Sequence, residues 1–503
     1  MKRNLSRCGA LLLALLLLFA AVPVRAADSN AYGVLYHSAD TPLHTNVTYT
    51  KNVFWSDYYK DLRQENYFTY TPGGPAWPVV VSGDSVTSRL TGSAAAADQA
   101  SLGRRVVAGI NGDFFVSTGN PIGLMISEGR LLSSDGGLPA IGFLADGTAI
   151  AGSPAMKMTV TGGSGGDFRL AELNKVRDSH GVYAYTSEFN SRRTTGTVVA
   201  GIEVLLTPLD SYENFGGPTV PAIGHSVIYR VTSVSTESAT TIGPGQLVLS
   251  VNEQSGEEAM AHLRALQPGE ELTLTITAND ERWNDVVSAM GGLYYLVQEG
   301  KSVPSTEKGN APRTAIGVRE NGEVLLYTVD GRRTGYSVGA SMTVLGERLA
   351  ELGCVTAICL DGGGSTTALA TMPDSLDAAL LNRPSDGKER NVTNLLLLVT
   401  DDRPNNTVGG VYFRDPGPYI LTGASVALTG NLVDTNYIPI QRSPDTFTAS
   451  AGTIDGNVFT APDRPGQVAL TAKDGSFTAE RTVTAVAAPE KLTVSANGAA
   501  AAS

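Results

Sequence analysis

The chain has 503 residues, 42% hydrophobic and 17% charged, with 56 Gly and 25 Pro. At roughly 150 residues per domain this is too long for one ordinary core, too apolar for a disordered chain, and too poor in Gly and Pro for a collagen-like or low-complexity one. The net charge is −12, and setting aside the four basic residues of the first 26 leaves 33 Lys+Arg against 49 Asp+Glu, a net of −16. Such a surface repels phosphate backbones, which excludes general nucleic-acid binding while leaving room for a local basic pocket.

Residues 1–26 read as a signal peptide. Lys2, Arg3 and Arg7 form a positive start, Leu11 to Phe19 is an apolar run, and Val24-Arg25-Ala26 offers a cut after Ala26. The run falls short of the ~20 residues that a membrane span needs. The expectation is therefore an exported protein, secreted or held at the cell surface, with no span after cleavage. Cys354 and Cys359 are the cysteines that remain. Val-Thr-Ala-Ile between them reads as a strand, whose five steps at ~3.3 Å exceed disulfide reach. Odd spacing puts them on opposite faces, so both read as small buried residues.

Residues 27–402 are expected to form one α+β domain in which strands dominate. Strands are predicted over 79–81, 105–110, 198–206, 226–234, 247–251 and 272–278. Helices are predicted over 257–265 and 342–352, the second capped by Ser341 and ended by Gly353. Val355 to Leu360 follows as a buried strand. The polar run Thr400 to Asn406 marks a boundary. Short alternating strands over 403–488 suggest a small all-β sandwich, and 489–503 an Ala-rich flexible tail.

Three clusters carry candidate chemistry. Asn111-Gly112-Asp113 ends an apolar strand, where polar side chains project into a cleft; the alternative is a plain Asn-Gly hairpin turn. Arg313 opens another apolar strand after Pro312, a fixed guanidinium suited to a phosphate; the alternative is a surface arginine paired with an acid. The next strand ends in Asp330-Gly331-Arg332, which also fits a simple turn. Asp361-Gly362-Gly363-Gly364-Ser365-Thr366 is the most informative. Three glycines in a row cost backbone entropy, but they let main-chain N–H groups form an anion nest. Asp361 beside such a nest suits a general base, a cation stabiliser or a metal ligand. The alternative is a tight strand-to-strand crossing. Asn382, Arg390 and Asn394 lie in a polar loop before the last strand and either face the same cleft or serve as loop solvation and capping.

In order along the chain, Asn111 to Phe115, Gly291 to Gly300, Pro312 to Gly317, Val329 to Arg332, the Ser341 to Gly353 helix, Leu360 to Ser365 and Asn382 to Asn394 resemble the phosphodiester glycosidase family. Residues 151–251 have no counterpart in that pattern, and the module after residue 405 resembles bacterial immunoglobulin-like domains. The resemblance implies hydrolysis of the sugar C1–O bond of a sugar-1-phosphodiester, of the GlcNAc-1-phosphodiester kind, in a cell-surface or extracellular glycan. Phosphate leaves with little proton donation, so catalysis rests on holding the phosphate and stabilising a positive anomeric carbon. On this reading Asp361 is the leading carboxylate and Asp113 and Asp330 are rivals for the second. Arg313, Arg332 and Gly362, Gly363 and Gly364 hold phosphate, with Ser365, Thr366 and Arg390 beside them. Asn111, Asn382 and Asn394 orient sugar hydroxyls. The partner is a phosphodiester-linked glycan, with no nucleic acid, and the C-terminal module is expected to attach the protein to the cell wall. The five histidines are scattered without metal-ligand spacing, so no catalytic metal is expected; a single structural Ca²⁺ held by aspartate and backbone oxygens stays open. The rival readings are a non-catalytic wall-glycan binder and a phosphodiesterase cutting P–O.

Overall fold

The computed structural model of the chain describes residues 32–209, 221–489, 494–496 and 499–501. The expected signal peptide lies outside the described residues. Strands dominate, as expected, and the described α-helices are Gly92–Ser101, Glu257–Ala265 and Met342–Glu351.

Two antiparallel sheets carry the site. The first runs Val34–His44, Val47–Ser56, Asp61–Tyr70, Val324–Val329, Arg313–Arg319, Cys354–Leu360, Tyr294–Gln298 and Lys301–Ser302. The second runs Ala379–Leu380, Ala368–Ala370, Arg105–Asn111, Asn394–Thr400 and Trp77–Ser82. They share one apolar layer, with Phe68, Ile316, Leu326 and Ile358 from the first meeting Ala108, Ile110, Leu396 and Leu398 from the second. Strands with both faces covered read as continuous apolar runs, and Leu395 to Val399 is one. Helices close the outside.

The helix Met342–Glu351 begins where Ser341 Oγ accepts the Val344 N–H at 3.3 Å. It lays Met342, Leu345 and Leu349 on the outer face of the first sheet, each contributing about 1.5–3 kcal/mol by burial. Arg348 clips it down with two bonds to the buried Glu65, at 2.9 and 3.0 Å. The helix Gly92–Ser101, capped by Thr91, covers the second sheet. Its sequence Gly-Ser-Ala-Ala-Ala-Ala-Asp-Gln-Ala-Ser has almost no apolar periodicity, which is why the residues did not announce it.

Most of residues 151–251, together with the strand Glu271–Thr277, form a closed seven-stranded barrel. Its strands are, in spatial order, Lys157–Thr161, Phe168–Leu173, Val182–Thr186, Leu247–Asn252, Gly201–Pro208, Ser226–Ser235 and Glu271–Thr277. Leu170, Val182, Val204, Leu249 and Leu274 fill it. The strand expected from Val198 starts at Gly201; Val198 is 91% exposed, in the loop before it. A five-stranded sheet, which includes Met125–Ser127 and Val286–Gly291, joins barrel to core.

The cysteines correct one expectation. Cys354 and Cys359 are both buried and free, but they share one apolar cluster with Ala357. Thr356 pairs with Val318 while Cys354 pairs with Arg319, so Val355 is an extra residue in the ladder. That bulge restores the two cysteines to one face.

Beyond the boundary, three small sheets over 408–486 surround Phe413, Phe459, Leu470 and Val483. Polar contacts tie this module to the core: His37 Nε2 to Asp415 at 2.6 Å, Asn431 to the Pro373 carbonyl at 2.7 Å, and Arg105 to the Asn436 carbonyl at 2.9 Å. Val494–Ala496 and Ala499–Ala501 pair as antiparallel strands.

Candidate active site

The strand Cys354–Leu360 belongs to the first sheet and Ala368–Ala370 to the second. Asp361 to Thr367 crosses between them. Both readings of the glycine run therefore meet in one segment, because the crossing also assembles the site. A Cβ on Gly362 would stand 2.8 Å from the Pro312 carbonyl oxygen, and one on Gly364 would collide with Arg390 and Asp386. Gly363 has φ +62, and a Cβ there would stand 3.2 Å from Arg332 Nη1. The glycines thus bring two guanidinium groups, Arg332 and Arg390, onto the backbone.

The anion nest is less available than the sequence suggested. The Gly363 N–H goes to the Pro312 carbonyl at 2.8 Å, and Ser365 and Thr366 N–H groups go to Gly362 and Gly363 carbonyls at 3.2 and 3.3 Å. Side-chain cations supply the positive charge instead. Arg390 pairs with Asp386 at 2.6 Å and donates to Ser365 Oγ at 3.3 Å. Arg332 is exposed, and no hydrogen bond or ion pair holds its guanidinium among the described residues. Its φ of +60 is an uncommon, strained setting for a residue with a Cβ.

Asp361 sits at the start of the crossing. Burial raises its pKa, opposed by hydrogen bonds from Ser365 and the Gly362 N–H and by the charge of Arg390. Its own N–H donates to the Gly112 carbonyl at 3.0 Å, which fastens the crossing to the end of the strand Arg105–Asn111.

Asn111 is the rivet of that junction. Its Nδ2 donates to the Asp361 carbonyl at 2.6 Å, and its Oδ1 accepts from Thr314 Oγ1 at 2.8 Å and the Thr367 N–H at 2.9 Å. With all these bonds made inside the protein, Asn111 positions the site and is not a free sugar ligand. Asp113 follows, 1% exposed. Its N–H donates to Asn394 Oδ1 at 2.8 Å and its Oδ2 accepts from the Gly123 N–H at 2.7 Å. Its Oδ1, Asn394 Nδ2 and Thr366 Oγ1 are buried without a hydrogen-bond partner in the described structure. Burial pushes the Asp113 carboxyl up to about 7 against the pull of Lys175 and of the Gly123 and Phe114 N–H groups, and the charge of Asp361 adds to the rise. The Asp361 N–H bond to Gly112, next to Asp113 in the chain, brings both residues to one junction.

Asp330, the other rival, is saturated. It accepts from Tyr336 OH at 2.9 Å, from Asn382 Nδ2 at 3.1 Å, and from the Arg383 N–H with both oxygens. Burial raises its pKa and these bonds oppose the rise. Asn382 completes the clip by donating to the Thr366 carbonyl at 2.9 Å and accepting from the Ala368 N–H at 2.8 Å. Both hold the crossing in place. Arg313 also differs from the free phosphate ligand expected of it. Its guanidinium is committed to the Ala340 carbonyl at 3.0 Å, the Gly309 carbonyl at 2.8 Å and Glu307 at 2.8 Å. Lys175 was not legible from spacing. It reaches the site by contacts across 54 and 52 residues, donating to the Pro121 and Gly123 carbonyls at 2.7 and 2.8 Å.

Residues 225–399 match the family model described as phosphodiester glycosidase. That stretch contains Asp361, Arg332 and Arg390, whereas Asp113 and the first half of the barrel lie outside it. The SPbeta prophage-derived uncharacterized protein YomE of Bacillus subtilis (strain 168) is 36% identical over 91 residues, which span 18% of this chain and 13% of that protein. Among solved structures, a hypothetical protein from Synechocystis is similar with TM-score 0.57 at 20% identity, over 72% of this chain and 64% of its own. A Burkholderia pseudomallei K96243 protein is similar with TM-score 0.52 at 20% identity, over 67% of this chain and 74% of its own. These two share the fold. Among the described residues no helix is long and apolar enough to cross a membrane.

Proposed function

We infer that the protein hydrolyses the C1–O bond of a sugar-1-phosphodiester, with an exported or cell-surface glycan as the substrate. The observation that carries the reading is the crossing itself, where two guanidinium groups lie against a triple glycine and the half-buried Asp361 is fastened through its N–H to Gly112, the residue before the buried Asp113. Arg332 grips the departing phosphate, and Arg390, paired with Asp386, adds positive charge beside it; charge-assisted bonds to the phosphate strengthen as its negative charge grows. Asp361, ionised, faces the anomeric carbon, stabilises the oxocarbenium ion and activates water. Asp113 is the second carboxyl. Burial raises its pKa to about 7, which suits a carboxyl that exchanges a proton in the neutral range. The partnerless polar atoms of Asp113, Asn394 and Thr366 suit a ligand rich in hydroxyls, because buried polar groups find partners.

The C-terminal module, read as an immunoglobulin-like sandwich, serves attachment to the wall glycan, and the signal peptide directs export. The test is a product assay on a panel of sugar-1-phosphodiesters. Free sugar and a phosphomonoester are the expected products. Binding without release would move the reading to a glycan-binding protein.

A further inference from the structure

The strand Phe168–Leu173 of the barrel ends in Asn174, a residue with φ +53 that is fully buried. The strained turn is paid for by a complete set of bonds. Asn174 Nδ2 donates to the Leu132 carbonyl at 2.9 Å and Thr186 Oγ1 at 2.8 Å, its Oδ1 accepts from the Thr186 N–H at 2.9 Å, and its carbonyl accepts from Asn120 Nδ2 at 2.8 Å. The turn aims Lys175 out of the barrel and into the core. Lys175 is 8% exposed, and Tyr185 OH holds its carbonyl at 2.8 Å. A buried ammonium is rare and costly, and it persists only where partners hold it.

We propose that Lys175 is a positioning residue of the active site, by which the barrel clamps the loop 119–123 over Asp113 and fixes how that carboxyl is presented. The clamp is short and continuous. Lys175 Nζ holds the Pro121 and Gly123 carbonyls, and the Gly123 N–H in turn donates to Asp113 Oδ2. Space behind the carboxylate is closed: a Cβ on Gly123 or Gly291 would stand 3.0 or 2.9 Å from that same oxygen. Asp113 cannot retreat, and its buried Oδ1, without a hydrogen-bond partner among the described residues, is the oxygen the clamp leaves unfilled. This gives the barrel a role in the chemistry through a residue outside the matched family stretch.

The clamp also carries charge. The charged groups acting on Asp113 are Lys175, which lowers its pKa, and Asp361, which raises it. Those acting on Lys175 are Asp113, Glu172 and Asp135, all of which favour its charged form against the cost of burial. Removing the ammonium charge therefore raises the Asp113 pKa, by about one unit for a neighbour of this kind.

The inference rests on the proposed function only for its kinetic arm. The direct arm is infrared titration of the protonated Asp113 carboxyl in the full chain without substrate, with the band assigned by its loss in Asp113→Asn. In Lys175→Gln the midpoint is expected to move up by about one pH unit; in Lys175→Arg, which keeps the charge, it stays. The alkaline limb of kcat/KM on a sugar-1-phosphodiester moves with it. An unmoved midpoint in Lys175→Gln, or an equal rise in Lys175→Arg, overturns the proposal. Should Lys175→Gln fail to fold, Lys175→Met, which keeps the length without the charge, decides by the same rise or its absence. A wild-type protein that releases no sugar would sink the function reading, and the infrared midpoint would still decide the role of Lys175.

Discussion

Asp113 and Asp330 look alike in the sequence and differ in the structure. Each follows an apolar strand, sits next to a glycine and is 1% exposed. Burial raises the pKa of both. Asp330 meets donors from Tyr336, Asn382 and Arg383, whereas Asp113 keeps Oδ1 without a partner and stands in the field of Asp361 and Lys175. A buried carboxylate whose lone pairs are filled by its own chain is a brace. One that is held on one oxygen and left without a hydrogen-bond partner on the other is a candidate for a role in the reaction. The arginines divide the same way, with Arg313 consumed by protein acceptors and Arg332 held by none among the described residues.

Replacements break or sharpen this contrast. The largest effect is expected of Asp361→Asn, a loss of about a thousandfold or more in kcat with the melting temperature kept, as for loss of a group acting in the transition state. Asp113→Asn comes next, at about a hundredfold, with loss of the alkaline limb of the pH profile. The sign of that limb follows from the raised pKa: Asp113 is protonated and competent below about 7, so wild-type activity falls as pH rises through that value. Arg332→Gln should cost about ten- to a hundredfold in kcat/KM, the worth of one hydrogen bond to a charged group, with stability unchanged. The smallest change in activity is expected of Asp330→Asn, within a few-fold, while chemical denaturation shows about 1–3 kcal/mol lost because the new amide faces donors. Equal activity losses in Asp113→Asn and Asp330→Asn would erase the contrast.

Much of this was legible. Continuous apolar runs gave the buried strands, Ser341 and Gly353 bounded a helix, and the glycine run pointed to the crossing. What lay hidden was contact across distance. Nothing local distinguishes Asp113 from Asp330, because the difference lies in Tyr336, Asn382 and Arg383 on one side and Lys175 on the other. The bulge at Val355 reversed the cysteine parity, since one extra residue flips the face of everything before it. The Ala-rich helix lacked a period, and the barrel's seven strands closed through pairings between segments far apart in the chain.

The central claim is C–O cleavage at a site where Asp361 faces the sugar. Its most direct test is hydrolysis of a sugar-1-phosphodiester in ¹⁸O water by wild type and Asp361→Asn. The account predicts the label on the released sugar, none on the phosphomonoester, and no turnover by the variant. Label on the phosphate, or an active variant, would contradict it.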